Sequence, residues 1–169
     1  MKNKDAISSF NFFEKLSDNL KIKLYSFFTT PLLLKVSPRI DSFDKNVAIV
    51  SIPLNRSTKN IYKSMYFGAI NIGAELCVFY IIHKLTKNLK TCRVISQHYS
   101  IDFIKKPKGR VFFYCDEVQK VAQTIDNTIK TGKESSVAIK GHGYVLSNAE
   151  EQTVCRFTVN IYCSVQVKI

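Results

Sequence analysis

Acidic residues are scarce in this chain. Thirteen Asp and Glu stand against 25 Lys and Arg over 169 residues, leaving a net charge of +12. That imbalance favours anionic partners: nucleic acid, phosphorylated ligands or acidic lipid. Six glycines and four prolines are too few for a collagen-like or low-complexity chain. The five cysteines (Cys77, Cys92, Cys115, Cys155 and Cys163) form no CxxC or Cys–His pair with zinc spacing. They read as small buried hydrophobes kept reduced. No Ser-His-Asp set, P-loop or GxGxxG is present, and no metal set, so no metal or separate cofactor is expected. Met1 to Ser9 is polar and no apolar run with a small-residue cleavage site follows, so a signal peptide is not expected and a cytoplasmic location is.

Length and composition suit one globular domain spanning 1–169, since 46% of the residues are hydrophobic and 22% charged. Residues 1–34 read as a helical extension. Within it Phe12, Phe13, Leu16, Leu20, Leu24, Phe27 and Phe28 recur at helical spacing over Phe10 to Phe28, and Pro31 lies beyond the end. Val36 to Asp41, broken by Pro38, suits an edge strand, and Val47 to Leu54 a second strand. Leu54 to Ser64 is a polar, basic loop with Ser64 as a possible helix cap.

Met65 to Ile82 is the one long apolar run. It carries Glu75, Asn71, Gly68 and Gly73, and reads as a helix buried at the centre of the fold rather than a membrane span. The second half predicts strands over Cys92 to Phe103, Arg110 to Cys115, Ser135 to Ser147 and Thr153 to Ile169. A short helix over Asp116 to Thr131 interrupts them, stopped by Gly132. Unbroken alternation is expected in the first and last of these strands. Consecutive strands with short turns imply an antiparallel sheet, which can curl around the apolar helix: an α+β fold.

Glu75 is the sharpest chemical candidate, being the only charged residue between Lys63 and Lys84. A carboxylate on a buried helix costs several kcal/mol unless paired or hydrated, so the position suggests use as a general base. Gly68 lies seven residues earlier, on the same helix face. The free N–H groups of the first turn, at Phe67 and Gly68, can hold an oxyanion or phosphate. Asn60 offers an amide near that helix start. His83, His98 and His142 form no obvious catalytic set. Lys105, Lys106, Lys108 and Arg110 form one basic cluster, and Arg56, Lys59 and Lys63 another. Either could face phosphates, while the aromatics sit mostly in apolar faces, so specific nucleic-acid binding is not expected.

The segment SIPLNRSTKNIYKSMYFGAINIGAELC, residues 51–77, resembles the core signature of hotdog-fold proteins of the thioesterase superfamily. It is most similar to the group called domain of unknown function 4442, related to phenylacetyl-CoA-type thioesterases, whose members read approximately RxTKNHxGSMYFGAL and then GADxA or GAExA. Arg56, Thr58, Lys59, Asn60, Ser64, Met65, Tyr66, Phe67, Gly68, Ala69, Gly73, Ala74 and Glu75 carry the match. The resemblance implies a hotdog fold, an antiparallel sheet wrapped around a long central helix, with the N-terminal helix as an addition. It implies edge-to-edge homodimers, which can pair further into a dimer of dimers, with acyl-thioester sites at the interface. Glu75 would be general base or nucleophile, the N–H groups near Phe67 and Gly68 would polarise the carbonyl, and Asn60 would face the site. Arg56, Lys59, Lys63, Ser64, Met65 and Tyr66 would contact substrate, acyl-CoA or an acyl-carrier protein, whose coenzyme A moiety is part of the ligand and not a cofactor. Three features depart from the pattern. Ile61 stands at the usual His, Lys63 at the usual Gly, and Tyr66–Phe67–Gly68 where related thioesterases often have His–Gly–Gly. These motivate a second expectation, a noncatalytic acyl-CoA-binding or regulatory hotdog protein. The net charge motivates a third, a basic nucleic-acid-binding domain.

Overall fold

The computed structural model describes residues 17–89 and 92–165. Residues 17–28 form helix α1, and α2 spans Pro31–Val36. Strands β1 (Arg39–Phe43) and β2 (Ala48–Ile52) precede the long helix α3 (Phe67–Thr86). Then come β3 (Cys92–Phe103), β4 (Val111–Cys115), α4 (Val118–Thr131), β5 (Ser135–Ser147) and β6 (Glu150–Val165). The strands form one antiparallel sheet in the order β1-β2-β4-β5-β6-β3, which curls around α3 in the hotdog arrangement.

The core sits between α3 and the sheet. Phe113 of β4, Val50 and Ile52 of β2, Val78 and Ile81 of α3, and Ile139, Val159 and Ile161 are almost wholly excluded from solvent. Each such side chain contributes about 1.5–3 kcal/mol by burial. Gly73 lets α3 lie close on β4, because a Cβ there would overlap the Phe113 ring. α4 turns Val118, Val121 and Ile125 inward and ends at Gly132, whose positive φ of 66° closes the helix with a bond from its N–H to the Thr128 carbonyl.

Several expectations change. Val36 is not the start of a strand: Pro31, pre-set for a first helical position, opens α2, which ends at Ser37 in the left-handed region before Pro38. β1 begins only at Arg39 and does lie at the sheet edge. Residues 10–16 of the expected first helix lie outside the described residues, as does the end of the last strand beyond Val165. Ser64 does not cap α3; the N-cap is Tyr66, with no side-chain bond. β3 does not alternate throughout, since a bulge at Gln97 switches its faces. Cys92 and Val94 pack on the core before it, Tyr99 and Ile101 after it, and Ile95 is left exposed. In β6 the alternation holds from Cys155 on, with Cys155, Phe157, Val159, Ile161 and Cys163 all buried, but a bulge at Val154 buries that residue beside Cys155. That strand starts three residues earlier than expected because its hairpin with β5 needs only Asn148 and Ala149.

α3 is not buried on all sides. Phe67, Glu75, Phe79 and His83 form an uncovered face on this chain, while Ala74, Cys77, Val78 and Ile81 face the sheet. α3 is also long and apolar enough to cross a membrane, the one such helix among the described residues, but it lies packed against the sheet. Cys77, Cys115, Cys155 and Cys163 are buried as expected, and Cys92 is half-buried. Burial pushes the thiols of Cys115, Cys155 and Cys163 up to about 11.

Candidate active site

The loop before α3 is folded by its own side chains. Thr58, fully buried, donates from Oγ1 to the Pro53 carbonyl at 2.6 Å and accepts from the Asn55 N–H at 2.9 Å. Asn60 Oδ1 accepts from the N–H groups of Tyr62 (2.9 Å) and Ser64 (3.1 Å), and its Nδ2 donates to Ser64 Oγ at 3.0 Å. Asn60 thus closes the loop in the manner of an Asx turn. Lys63 sits in the left-handed region with φ 59°. Met65 N–H donates to the Pro107 carbonyl and Tyr66 N–H to that of Thr58, which ties this loop to the one between β3 and β4.

That tie joins the two basic clusters. A cavity of about 390 Å³ lies between the loops, lined by Asn60, Tyr62, Tyr66, Phe67, Lys105 and Lys106. Lys106 Nζ stands 5.1 Å from the centre of the Tyr62 ring. Ser64 and Met65 also line it but are buried, and Arg56, Lys59 and Lys63 are exposed outside it. Arg110 turns to Ser51 Oγ instead, at 3.1 Å. At the start of α3 the N–H groups of Phe67 and Gly68 have no acceptor among the described residues. The Tyr66 ring lies over Gly68, where a Cβ would come within 2.5 Å of it.

Glu75 is exposed on this chain, not buried. Its carboxylate makes no hydrogen bond or ion pair with any described residue. One turn earlier, Asn71 Oδ1 accepts from the Tyr99 hydroxyl of β3 at 3.2 Å. Burial, then the neighbouring Cys155 and Glu75, push the Tyr99 hydroxyl pKa up, so it stays protonated as a donor. Sequence reasoning does not single out Asn71 or Tyr99 as site residues. The four-residue spacing of Asn71 from Glu75 is a usable signal; Tyr99 is brought in only by strand pairing.

On its other side Glu75 borders a cavity of about 540 Å³ between α1–α2 and α3. Its wall is mostly apolar, with Ile22, Tyr25, Leu33, Ile72, Leu76 and Phe79, and His83 stacks on Phe79 at 6.4 Å. The volume is in the range of small-molecule sites, about 300–1,000 Å³. Asn60 and Glu75 therefore open on different cavities, one at the start of α3 and one along its exposed middle. No group of three or more His, Cys, Asp or Glu that could hold a metal occurs among the described residues.

A family model described as domain of unknown function (DUF4442) matches residues 20–163. The chain belongs to this family. Solved structures resemble this DUF4442 chain over most of their length. A protein of unknown function from Chlorobaculum tepidum TLS superposes with a TM-score of 0.73 at 15% identity, covering 90% of this chain and 97% of that one. A thioesterase family protein from Silicibacter pomeroyi gives 0.60 at 12%, covering 83% and 94%. A mutant of a thioesterase enzyme from Staphylococcus aureus subsp. aureus Mu50 gives 0.56 at 13%, covering 80% and 99%. At such identities the likeness carries the fold alone. Comparison with curated proteins finds no significant match.

Proposed function

We propose that this DUF4442 protein hydrolyses acyl thioesters, acyl-CoA or an acyl-carrier-protein ester, in the cytoplasm. The supporting observation is the order of features along α3. A cationic groove comes first, then the open N–H groups of Phe67 and Gly68, then the unpartnered Glu75 carboxylate, then an apolar cavity. Lys105 and Lys106 suit the phosphates of the carrier. The apolar cavity suits the acyl chain. Between them the Phe67 and Gly68 N–H groups hold the carbonyl oxygen as charge develops on it. Glu75 takes a proton from water, the hydroxide adds to the carbonyl carbon, and collapse expels the thiolate, which is then protonated. Direct attack by Glu75, giving an anhydride that water opens, uses the same atoms. In this reading Asn60 shapes the oxyanion loop, and Arg56, Lys59, Lys63, Ser64, Met65 and Tyr66 form the entrance. The protein works as a homodimer, or as a dimer of such dimers, joined through β3, a long edge strand with an exposed row at Ser96, Gln97 and His98.

The test is thiol release from short-, medium- and long-chain acyl-CoAs by the protein and by Glu75→Ala. Release is expected to fall by about 10²–10⁴-fold in the variant. Equal release by both, or none by either, overturns the reading. A second reading, an acyl-CoA binder without turnover, is favoured by the Tyr66 ring over Gly68 and by Ile61 and Lys63 at the family's His and Gly positions. It predicts saturable binding with no thiol release.

A further inference from the structure

Helix α1 is turned inside out. Its inward side is mainly polar. Asp18 is buried, with Oδ2 accepting from the Tyr80 hydroxyl at 2.5 Å and from Lys84 Nζ at 2.7 Å. Asn19 donates to the Ile40 carbonyl at 3.0 Å and accepts from the Ile40 N–H at 2.8 Å, standing in for a strand neighbour at the β1 edge. Ser26 is buried and Ile22 packs on the core. The outward side carries Leu20 (58% exposed), Leu24 (52%), Phe27 (65%) and Phe28 (77%). At 3.6 residues per turn these four span an arc of about 100°, a full amphipathic stripe facing away from the protein. Leu32 and Leu34 of α2 extend the exposed apolar surface. The inward polar contacts are paired atom to atom, so the helix cannot roll over to bury the stripe without stranding Asp18 and Asn19.

We infer that this stripe docks on an anionic membrane surface. Exposed Lys21 and Lys23 interleave the stripe, Lys35 follows it, and the whole chain carries +12. Apolar and aromatic side chains at the headgroup boundary with cations beside them are what such a surface binds. A second copy is the poorer complement. A two-fold contact through the stripe sets each copy's Lys21, Lys23 and Lys35 against a surface bearing the same charges. Docking leaves the cavity between α1–α2 and α3 next to the bilayer, although the inference stands on the stripe alone.

The full chain is sedimented with vesicles of equal parts phosphatidylglycerol and phosphatidylcholine, and with vesicles of phosphatidylcholine alone. It is expected to pellet with the first far more than with the second, and to be released by high salt. The variant F27S/F28S is expected to lose roughly tenfold or more of that binding. K23E/K35E, at two exposed lysines away from the Asp18 contacts, should also bind less while melting near the parent temperature. If F27S/F28S melts early, Phe28→Ser alone supplies the comparison. The inference is overturned if the chain stays in the supernatant with anionic vesicles, or if the Phe variants bind equally well. It is also overturned if sedimentation velocity shows that F27S/F28S converts a dimer to monomers, which would assign the stripe to a second copy.

Discussion

The Tyr99 hydroxyl reaches across from the edge strand β3 to Asn71 on α3, 3.2 Å away and one helical turn before Glu75. This bond holds the helix face that carries the carboxylate against the strand proposed to meet a second copy. Tyr99→Phe removes the donor and keeps the ring. A loss of about 1 kcal/mol in denaturant unfolding is expected. Asn71→Ala, which removes the acceptor, should cost a similar amount, and the double variant little more than either single one.

Gly73 faces Phe113 at the centre of the core, so the effect of Gly73→Ala is steric. A gain of helix propensity of about 1 kcal/mol is set against overpacking of about 1–3 kcal/mol or more. The ring is fully buried and cannot swing clear, so net destabilisation is expected in urea unfolding. Adding Phe113→Leu should recover part of the loss, because it makes room for the methyl group.

Asp18 sets an acid limit on the docking of α1. Burial alone raises its pKa, but hydrogen bonds from Lys84 and Tyr80 and the charges of Lys84 and Lys21 outweigh this and hold the carboxyl below the usual carboxylate range. A lowered folded-state pKa contributes stability that is complete above the unfolded value of about 3.9 and is lost as pH falls through the folded value. Asp18→Asn is therefore expected to cost about 2 kcal/mol at neutral pH. The gap between variant and parent should close as the pH falls below about 4, and thermal melts across that range read it directly.

Lys63 and Ala149 both occupy the left-handed region, with φ of 59° and 67°. A side chain there costs roughly 1–2 kcal/mol relative to glycine, partly offset by glycine's greater freedom in the unfolded chain. Lys63→Gly and Ala149→Gly are each expected to stabilise the protein by about 0.5–1 kcal/mol in denaturant unfolding. The second change also places glycine directly after Asn148, the preferred pairing for a two-residue hairpin turn with both residues at positive φ.

Much of this structure was legible along the chain. The bounds of the strands over Cys92–Phe103 and Ser135–Ser147 were readable from their β-forming residues and the turn residues beside them, and the end of α4 from Gly132. The residues 56–75 signature pointed to the family and to the helix that carries Glu75. These are local properties, because side-chain period and turn chemistry act over a few residues. The bulge at Gln97 was hidden because its effect is a shift against β6, not a change in composition. α2 was hidden because six residues after a proline leave too short a period to distinguish a helix from a strand.

The sequence by itself determined the elements other than α2, the antiparallel class and the apolar length of α3. Tertiary structure decided which faces are covered. Glu75 looked buried because its neighbours in sequence are apolar, yet the sheet covers only the opposite side of the helix. The spacing in α1 marks an apolar stripe without saying what it meets; Asp18 and Asn19 find partners at Tyr80, Lys84 and Ile40 and turn it outward. Period reveals that a helix has two faces; only the groups that meet it across the fold select which one is inside, because stranding a buried charge such as that of Asp18 costs about 3–5 kcal/mol, against about 1.5–3 kcal/mol from burying a single apolar side chain.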